Sequence, residues 1–246
     1  MTSVLQPADS LVLGPGAMGC LRTALTATQR EEMRQLMEAH FHGVSASQFH
    51  RDLDEKDWVL RFTREDQLIG FSTMQVYGTL HEGRWINVIY SGDTVMAPEG
   101  WGSPVLARAW IALVRELQSR HPAGPWYWLL LSSGFRTYRF LPVFWREFWP
   151  RFDAAASGAP KLLATLAHER FGRRFDEAAG VVRFDHPQRL REHLVTVPDG
   201  RSGDPHVRFF LETNPGHANG DELVCLAVLS DDNLTAAGRR MVRPSR

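Results

Sequence analysis

The sequence predicts an α/β protein in which helices flank a central sheet. Apolar residues recur at helical spacing in two early segments and in a third that starts near residue 103. Between these segments, apolar and polar residues alternate in three runs, and short polar turns separate one run from the next. A continuous apolar run at residues 126–131 is typical of a strand buried on both faces. Helical and alternating segments in this order indicate an α+β arrangement.

Composition and charge fit a globular protein and argue against several classes of function. The chain has 246 residues, enough for one large domain or for a core of roughly 150 residues with an elaboration. The formal net charge is zero, so no overall charge draws the protein to nucleic acid or to an anionic membrane. Cys20 and Cys225 are the only cysteines, too few for a secreted disulfide framework. Because neither a signal peptide nor a membrane-spanning run is recognisable, we expect a cytoplasmic protein.

The N-terminal part is predicted to hold a leader and two helices. Residues 1–27 are interrupted by proline and glycine, and we expect them to be loosely ordered. Thr28 and Glu31 form a capping-box pattern ahead of an apolar stripe, which predicts a first helix. Ser45 and Gln48 predict the start of a second, short helix.

Three antiparallel strands are predicted to follow. Apolar and polar residues alternate at residues 58–63, 68–77 and 85–96, and the short polar turns between these runs are typical of a meander. Gly92 lies within the third run. Since glycine weakens a strand, it usually marks a bulge or the close approach of a ligand or backbone.

A tight loop and a third helix come before the buried strand. Residues 98–102 contain a proline and two glycines, which predicts the loop. Ser103 and Pro104 then supply an N-cap and a first-turn proline for the helix. The chain breaks again at residues 122–125, ahead of the strand.

The remaining sequence is less regular. Residues 136–150 are rich in aromatic side chains and are predicted to mix loop and helix. Pro160 and Gly172 bracket a further helix. Two apolar runs, at residues 207–211 and 223–229, predict a hairpin with a long polar loop.

The segment at residues 90–106, YSGDTVMAPEGWGSPVL, resembles a motif of the GNAT superfamily of acyltransferases. The core of that family has two helices, a three-strand meander, a pyrophosphate-binding loop, a helix and a parallel central strand. The loop of the family commonly reads V-x-P-x-x-R/Q-G-x-G/A. Met96, Pro98 and Gly102 fit this pattern, whereas Trp101 stands where arginine or glutamine is usual and Pro104 where glycine or alanine is expected.

The resemblance implies a mixed, mostly antiparallel central sheet flanked by helices. The leader of residues 1–27 would precede a GNAT-like core of residues 28–150, and residues 151–246 would form a C-terminal helical and hairpin extension packed on that core. The resemblance also implies acetyl-CoA or a longer acyl-CoA as co-substrate, because free amides and the helix dipole attract phosphate at a helix N-terminus. The residues implied in this binding are Met96, Gly100, Trp101, Gly102, Ser103 and Val105.

In the GNAT family an amine attacks the thioester directly, so a base and an acid are needed. Asp93, just after Gly92, resembles the family base, and Tyr138 resembles the tyrosine that protonates the departing thiolate. Each residue also has a structural interpretation. Asp93 fits a turn or cap, Tyr138 fits a packed core tyrosine, and the loop fits a plain strand-to-helix turn, from which Pro104 removes one amide donor.

The arginines and aromatic residues of residues 132–151, a segment that resembles uncharacterised bacterial GNAT-like proteins, allow two interpretations each. Arg136, Arg139 and Arg146 either grip phosphate or carboxylate or form an ion-paired surface. The aromatic side chains build either a second core or the walls of a roomy apolar pocket, such as one for a longer acyl chain.

The sequence thus predicts an acyl-CoA-dependent N-acyltransferase that acts on a small-molecule or peptide amine. The alternative is a non-catalytic GNAT-like ligand-binding or structural protein that has lost CoA binding, as the substitutions at Trp101 and Pro104 suggest. The histidines at residues 40–50 lack an HExxH or cysteine pattern, and GxSxG, GxGxxG and P-loop motifs are absent. We therefore expect no metal, no nucleic-acid partner and no membrane partner.

Overall fold

The computed structural model describes residues 10–121, 123–153 and 159–242. Within them, nine helices and thirteen strands alternate along the chain. The strands are β1 (Ser10–Gly14), β2 (Ala17–Leu21), β3 (Phe41–His42), β4 (Trp58–Arg64), β5 (Gln67–His81), β6 (Arg84–Ser91), β7 (Thr94–Met96), β8 (Trp126–Ser132), β9 (Phe148–Trp149), β10 (Phe175–Asp176), β11 (Val181–Val182), β12 (Arg189–Leu190) and β13 (Glu222–Val228).

The helices flank the sheet that most of these strands form. They are α1 (Ala27–His40), α2 (Ala46–Asp54), α3 (Val105–Arg120), α4 (Phe135–Tyr138), α5 (Phe140–Phe144), α6 (Ala159–Phe171), α7 (Glu192–Val195), α8 (Pro205–Thr213) and α9 (Ala236–Val242). Among the described residues, no helix combines the length and the apolar character that crossing a membrane requires.

The central sheet is mixed and mostly antiparallel, which confirms the predicted fold class. Its strand order is β1-β2-β4-β5-β6-β8-β13-β11-β10. The pair β6–β8 is parallel, and α3 makes the crossover between these two strands; the other neighbours in this order are antiparallel. Two helices, a meander, a loop, a helix and a parallel central strand follow one another, so the fold is GNAT-like.

Alternating side chains divide the core between the two faces of the sheet. Along β4, Trp58, Leu60 and Phe62 pack in one cluster with α3, whereas Val59 packs in another with α1 and α2. A third cluster joins β6, β8 and β13 to α6. The period-two pattern of the sequence thus assigns each apolar side chain to one face.

The expectation of a loosely ordered leader is wrong for residues 10–27. β1 and β2 form a hairpin at the edge of the sheet, and β2 pairs along its length with β4. The interruptions at Gly14, Pro15 and Gly16 are the turn of this hairpin, where both glycines have positive φ. Glycine and proline therefore mark a tight turn here rather than an unstructured segment. Residues 1–9 lie outside the described residues.

The first helix begins two residues earlier than predicted. Thr26 is the N-cap, its Oγ1 accepts from the amide of Gln29 at 3.2 Å, and the Gln29 side chain accepts from the amide of Thr26 at 3.1 Å. Thr28 lies inside the first turn, and Glu31 instead forms an ion pair with Arg34. Both pairs have the capping-box spacing, so the sequence pattern alone cannot choose between them. The second helix has the predicted N-cap, Ser45.

Replacing each threonine in turn tests which one caps α1. We expect Thr26→Ala to lower the free energy of unfolding by about 1 kcal/mol, because the amide of Gln29 loses its acceptor. The matched control Thr28→Ala, inside the same turn, should change it by less than about 0.5 kcal/mol. Urea denaturation of both variants measures the difference, and equal losses would contradict the assignment.

Of the two strands predicted for the C-terminal hairpin, the first is a helix and the second is a strand of the central sheet. Residues 207–211 belong to α8, because Asp204 caps the helix by accepting from the amides of His206 and Val207, and Pro205 occupies its first turn. The second run forms β13, which lies between β8 and β11 in the central sheet. Residues on both sides of position 150 therefore contribute to one sheet and share one core. The helix predicted between Pro160 and Gly172 is present as α6.

Candidate active site

A β-bulge separates β6 from β7 along one edge of β5, as the position of Gly92 predicts. Residues 72–75 of β5 lie opposite residues 90–94. Because four residues of β5 face five residues of the neighbouring segment, that segment carries one extra residue. The amide of Thr73 donates to the carbonyl of Asp93 at 2.9 Å across the bulge. The chain thereby leaves β6 and turns the Asp93 side chain to the neighbouring cavity.

The cavity begins where β6 and β8 stop pairing. Their parallel register ends at Ser91 and Leu130, and a space of about 430 Å³ lies beyond this point. Residues 92–96 line one wall, and the end of β8 with the start of α4 lines the other. The apolar part of the surface comes from large side chains: Leu106, Trp110, Trp128, Leu131, Phe135 and Phe140.

Five of the six residues expected to bind the cofactor line this cavity: Met96, Gly100, Trp101, Gly102 and Ser103. The structure does not bring Val105, the sixth, to its surface. The amide of Val105 donates to the Ser103 hydroxyl at 3.3 Å, and the N-cap of α3 is Pro104 rather than the predicted Ser103. The helix starts one residue late because the Pro104 carbonyl accepts the first helical bond, from Arg108.

The loop before α3 satisfies some of its own amides and leaves others free. The amides of Gly100, Trp101 and Ser103 donate to carbonyls within the loop. Among the described residues, the amides of Gly102, Leu106 and Ala107 have no acceptor. Gly102 has φ +77°, and a Cβ placed there would meet no atom within 4 Å. A helix N-terminus with free amides and open space beside it can hold an anion.

Trp101 lies along the loop and leaves the cavity open. Its indole Nε1 donates to the Met96 carbonyl at 2.7 Å, and the side chain is 43% exposed. The Arg136 guanidinium lies 4.9 Å from the centre of this indole and 4.6 Å from that of Phe135. The family position that usually carries an arginine or glutamine is therefore covered by a cation from α4.

Arg136 has no counter-ion among the described residues. One of its nitrogens, Nη1, donates to the Leu194 carbonyl at 2.6 Å, and partial burial lowers the pKa of the guanidinium. Its neighbour Arg139 differs, since Nε of that residue pairs with Asp204 Oδ2 at 2.8 Å. Both arginines line the cavity. Arg136 is thus the cation beside the loop that an anionic ligand could pair with.

Asp93 is held in place at the cavity wall. Thr73 Oγ1 donates to its Oδ2 at 3.0 Å, and Lys56 Nζ lies 3.7 Å from the same oxygen. The Lys56 side chain is 4% exposed, and its Nζ also donates to the Asp52 carbonyl at 2.8 Å. The Asp93 side chain is 24% exposed, so a ligand can reach the carboxylate.

Glu222 is a second carboxyl group at the cavity, and no pattern in the sequence indicated it. It is the first residue of β13, is partly buried, and lines the cavity. Removal from bulk water, followed by the charge of Asp93, raises the pKa of Glu222 to about 8, although a hydrogen bond with Ser133 opposes the shift. In the sequence it is only an acidic residue at the start of an apolar run, which is a common way for a strand to begin.

Tyr138 is not at the cavity, contrary to the expectation that it is the acid. The side chain is fully buried, and its hydroxyl donates to the Pro150 carbonyl at 2.9 Å. Phe148, Phe209 and Phe210 surround the ring, with ring centres about 6 Å away. The position after the central strand matches the family tyrosine, but α4 turns this side chain into the core between β9 and α8. The structural interpretation therefore applies to Tyr138.

Tyr138→Phe separates a packing role from a catalytic role. We expect the variant to lose about 0.5–1.5 kcal/mol of stability, because the part-buried hydrogen bond from the hydroxyl to the Pro150 carbonyl is lost. Binding and turnover of ligands in the cavity should be unchanged. Thermal unfolding and a ligand titration check both statements, and a slowed reaction with unchanged stability would contradict them.

No group of three or more histidine, cysteine, aspartate or glutamate side chains is arranged to hold a metal ion in the part of the chain that the structure describes. Among those residues, the titratable groups at the cavity are His40, Asp93, Arg136, Arg139, Arg201 and Glu222.

Comparisons with known proteins show only a distant similarity of fold. No family model and no curated protein matches the chain. Among solved structures, it is similar to a protein of unknown function from Enterococcus faecalis described as a probable N-acyltransferase, with 11% identity, TM-score 0.40, and coverage of 84% of this chain and 64% of that one.

Two further solved structures give similar values. An aminoglycoside acetyltransferase from an uncultured soil metagenomic sample, in complex with sisomicin, has 11% identity and TM-score 0.39, over 57% of this chain and 95% of that one. Escherichia coli ElaA has 15% identity and TM-score 0.36, over 57% and 91%. At these TM-scores the likenesses give no information on activity or substrate.

Proposed function

We propose that this protein is an N-acyltransferase that takes its acyl group from acyl-CoA and transfers it to an amine. One observation carries the proposal: among the described residues, a single cavity joins the free amides of Gly102 and Leu106, and the guanidinium of Arg136 without a counter-ion, to the carboxyl groups of Asp93 and Glu222. Such a cavity offers an anion site, an apolar surface and proton-transfer groups in one continuous space. The amine acceptor is a small molecule or a peptide.

The donor would bind through its diphosphate at the loop. The amides of Gly102, Leu106 and Ala107 would donate to phosphate oxygens, and open space at Gly102 fits the close approach this needs. Arg136 would supply the charge that Trp101 cannot, because it lies against the indole and forms no ion pair within the part of the chain that the structure describes. The apolar wall favours acyl groups longer than acetyl, since it presents several large side chains to the cavity.

Asp93 would take the proton that the amine loses. Attack by the amine nitrogen on the thioester carbonyl forms a C–N bond, and the C–S bond then breaks with its electron pair on sulfur. Thr73 and Lys56 fix the Asp93 carboxylate at the cavity wall, so its free edge can face the amine.

A second candidate is a non-catalytic GNAT-like protein that binds another ligand in this cavity. The observation that favours it is the loop itself: three of its amides are already bonded internally, and Pro104 has none to offer. The two proposals differ in one measurement, the binding of CoA. Thermal-shift assays with CoA, acetyl-CoA, octanoyl-CoA and palmitoyl-CoA decide it, because a ligand at 100 times its Kd adds about 2.7 kcal/mol of stability. No shift with any donor would favour the second candidate.

Arg136→Gln tests the phosphate contact. We expect the variant to bind octanoyl-CoA about 10- to 100-fold more weakly, because charge-assisted hydrogen bonds contribute about 1.5–3 kcal/mol. Binding of octanoyl-pantetheine, which has the same acyl group and no phosphate, should be unchanged. Isothermal titration calorimetry measures both ligands.

The matched control for this experiment is Arg115→Gln. Arg115 pairs with Asp231 and does not line the cavity, so its loss should leave both affinities unchanged. Equal weakening of the two ligands by Arg136→Gln would contradict a phosphate contact and would indicate a role in shaping the cavity.

Asp93→Asn tests the base. We expect turnover to fall by about 10²–10⁴-fold, while the Kd for octanoyl-CoA stays within about twofold, because the amide keeps the shape but accepts no proton. The assay follows release of the CoA thiol with a panel of amino acids, polyamines and a lysine peptide. Asp66→Asn, in the turn between β4 and β5, is the control. A wild-type rate in Asp93→Asn would remove Asp93 from the mechanism.

A further inference from the structure

We propose that Glu222 is the acid of this site and gives its proton to the sulfur that leaves the acyl group. The inference rests on the proposed function, since it assigns a role in the same transfer. It fills the place that Tyr138 leaves empty, because the hydroxyl of that residue donates into the core at Pro150.

The sheet places Glu222 and Asp93 at the same cavity. Glu222 starts β13, whose next residue, Leu223, pairs with Ser132 at the end of β8. Asp93 lies in the bulge between β6 and β7. A thioester held where β6 and β8 separate would therefore have both carboxyl groups in the cavity that holds it. This is the arrangement that a transfer with separate base and acid needs.

The charged groups around Glu222 come from the bulge and from α2 with the residues just after it. Asp93 lies beside the bulge, Asp52 is in α2, and Lys56 follows α2. The hydroxyl of Ser133, just after β8, hydrogen bonds with Glu222, and the buried Tyr90 of β6 lies close enough to interact with its charge. Burial and then the two neighbouring carboxylates raise the pKa of Glu222 more than the single lysine lowers it, so this pKa is about 8. A carboxyl group in this state is a proton donor at neutral pH.

Lys56 is the cation that lies beside Asp93. Its Nζ lies 3.7 Å from Asp93 Oδ2, so the charged form of Asp93 has a cation next to it. Glu222 has no lysine or arginine within ion-pair distance among the described residues. The cation nearest to the two carboxyl groups therefore lies beside Asp93.

The acyl transfer neither gains nor loses a proton overall. As the C–N bond forms, the amine proton moves to the Asp93 carboxylate; as the C–S bond breaks, the Glu222 proton moves to sulfur and gives the thiol. The products are the amide and CoA, with Asp93 protonated and Glu222 ionised. Transfer of one proton from Asp93 to Glu222 restores the starting state, and no oxidant, reductant or further reactant is needed.

The pH dependence of the transfer from octanoyl-CoA, with the amine panel as acceptors, tests the proposal. For the wild-type protein we expect kcat/KM to fall above about pH 8, where Glu222 loses its proton. Glu222→Gln should be about 10²–10⁴-fold slower at pH 7 and should lack this alkaline limb. Glu222→Asp keeps an acid one methylene shorter, so it should recover part of the rate and keep an alkaline limb.

Stability against pH gives a readout that does not need activity. An ordinary glutamate has a pKa of 4.5, whereas that of native Glu222 is about 8, so between these values the native chain holds a proton that the unfolded chain has lost. The free energy of unfolding therefore falls as pH rises through this window. Glu222→Gln removes the effect, so its Tm relative to wild type should increase from pH 5 to pH 8. The same variant should bind octanoyl-CoA normally.

Each outcome has one meaning. A wild-type protein that neither binds nor uses acyl-CoA would overturn the proposed function and the role of Glu222 with it. An active wild type with an equally fast Glu222→Gln, or with the same alkaline limb in that variant, would overturn the role of Glu222 alone. Loss of octanoyl-CoA binding in Glu222→Gln would also overturn it, because the residue would then act in binding or structure.

Discussion

The extra residue between β6 and β7 is the constraint on which the rest of the site depends. It ends the pairing of β6 with β8 and lets the cavity form between strands that would otherwise close against each other. A Cβ at position 92 would lie 2.5 Å from the Tyr90 hydroxyl oxygen, so a larger residue there would require the Tyr90 side chain to shift. Without the extra residue, Asp93 would lie within a regular strand that pairs with β5.

A buried charge arrangement follows from that opening. Asp93 and Glu222 face one cavity, and Lys56 is the cation within reach of Asp93. Burying several carboxyl groups near one lysine opposes stability, and a deep group responds by keeping its proton. The raised pKa of Asp52, which burial causes first and Asp93 increases while Gln48 opposes it, belongs to the same arrangement. Structures tolerate such surroundings mainly where proton transfer is useful.

Local sequence patterns predicted most of the fold and less of the site. The alternation of apolar and polar residues along residues 58–96 predicted the meander, and Gly92 predicted the bulge, because both features depend on contacts within a short segment. The capping box was placed two residues late, since Thr26 with Gln29 and Thr28 with Glu31 have equal spacing. Residues 207–211 were taken for a strand, although an aspartate followed by proline begins a helix there. A short apolar run is ambiguous between helix and strand, and neighbouring elements decide it.

Sequence patterns were sufficient to predict the order of the main helices and strands from α1 to β8, the place of the glycine loop and the presence of Asp93 beside the bulge. Three features depend on contacts between distant segments: Tyr138 points into the core, Arg136 covers Trp101, and Glu222 reaches the same cavity as Asp93. The physical reason is distance along the chain. Spacing along the sequence sets the direction of side chains within one element, but Glu222 and Asp93 come from strands far apart in sequence, and their approach is fixed by the order in which the sheet pairs its strands.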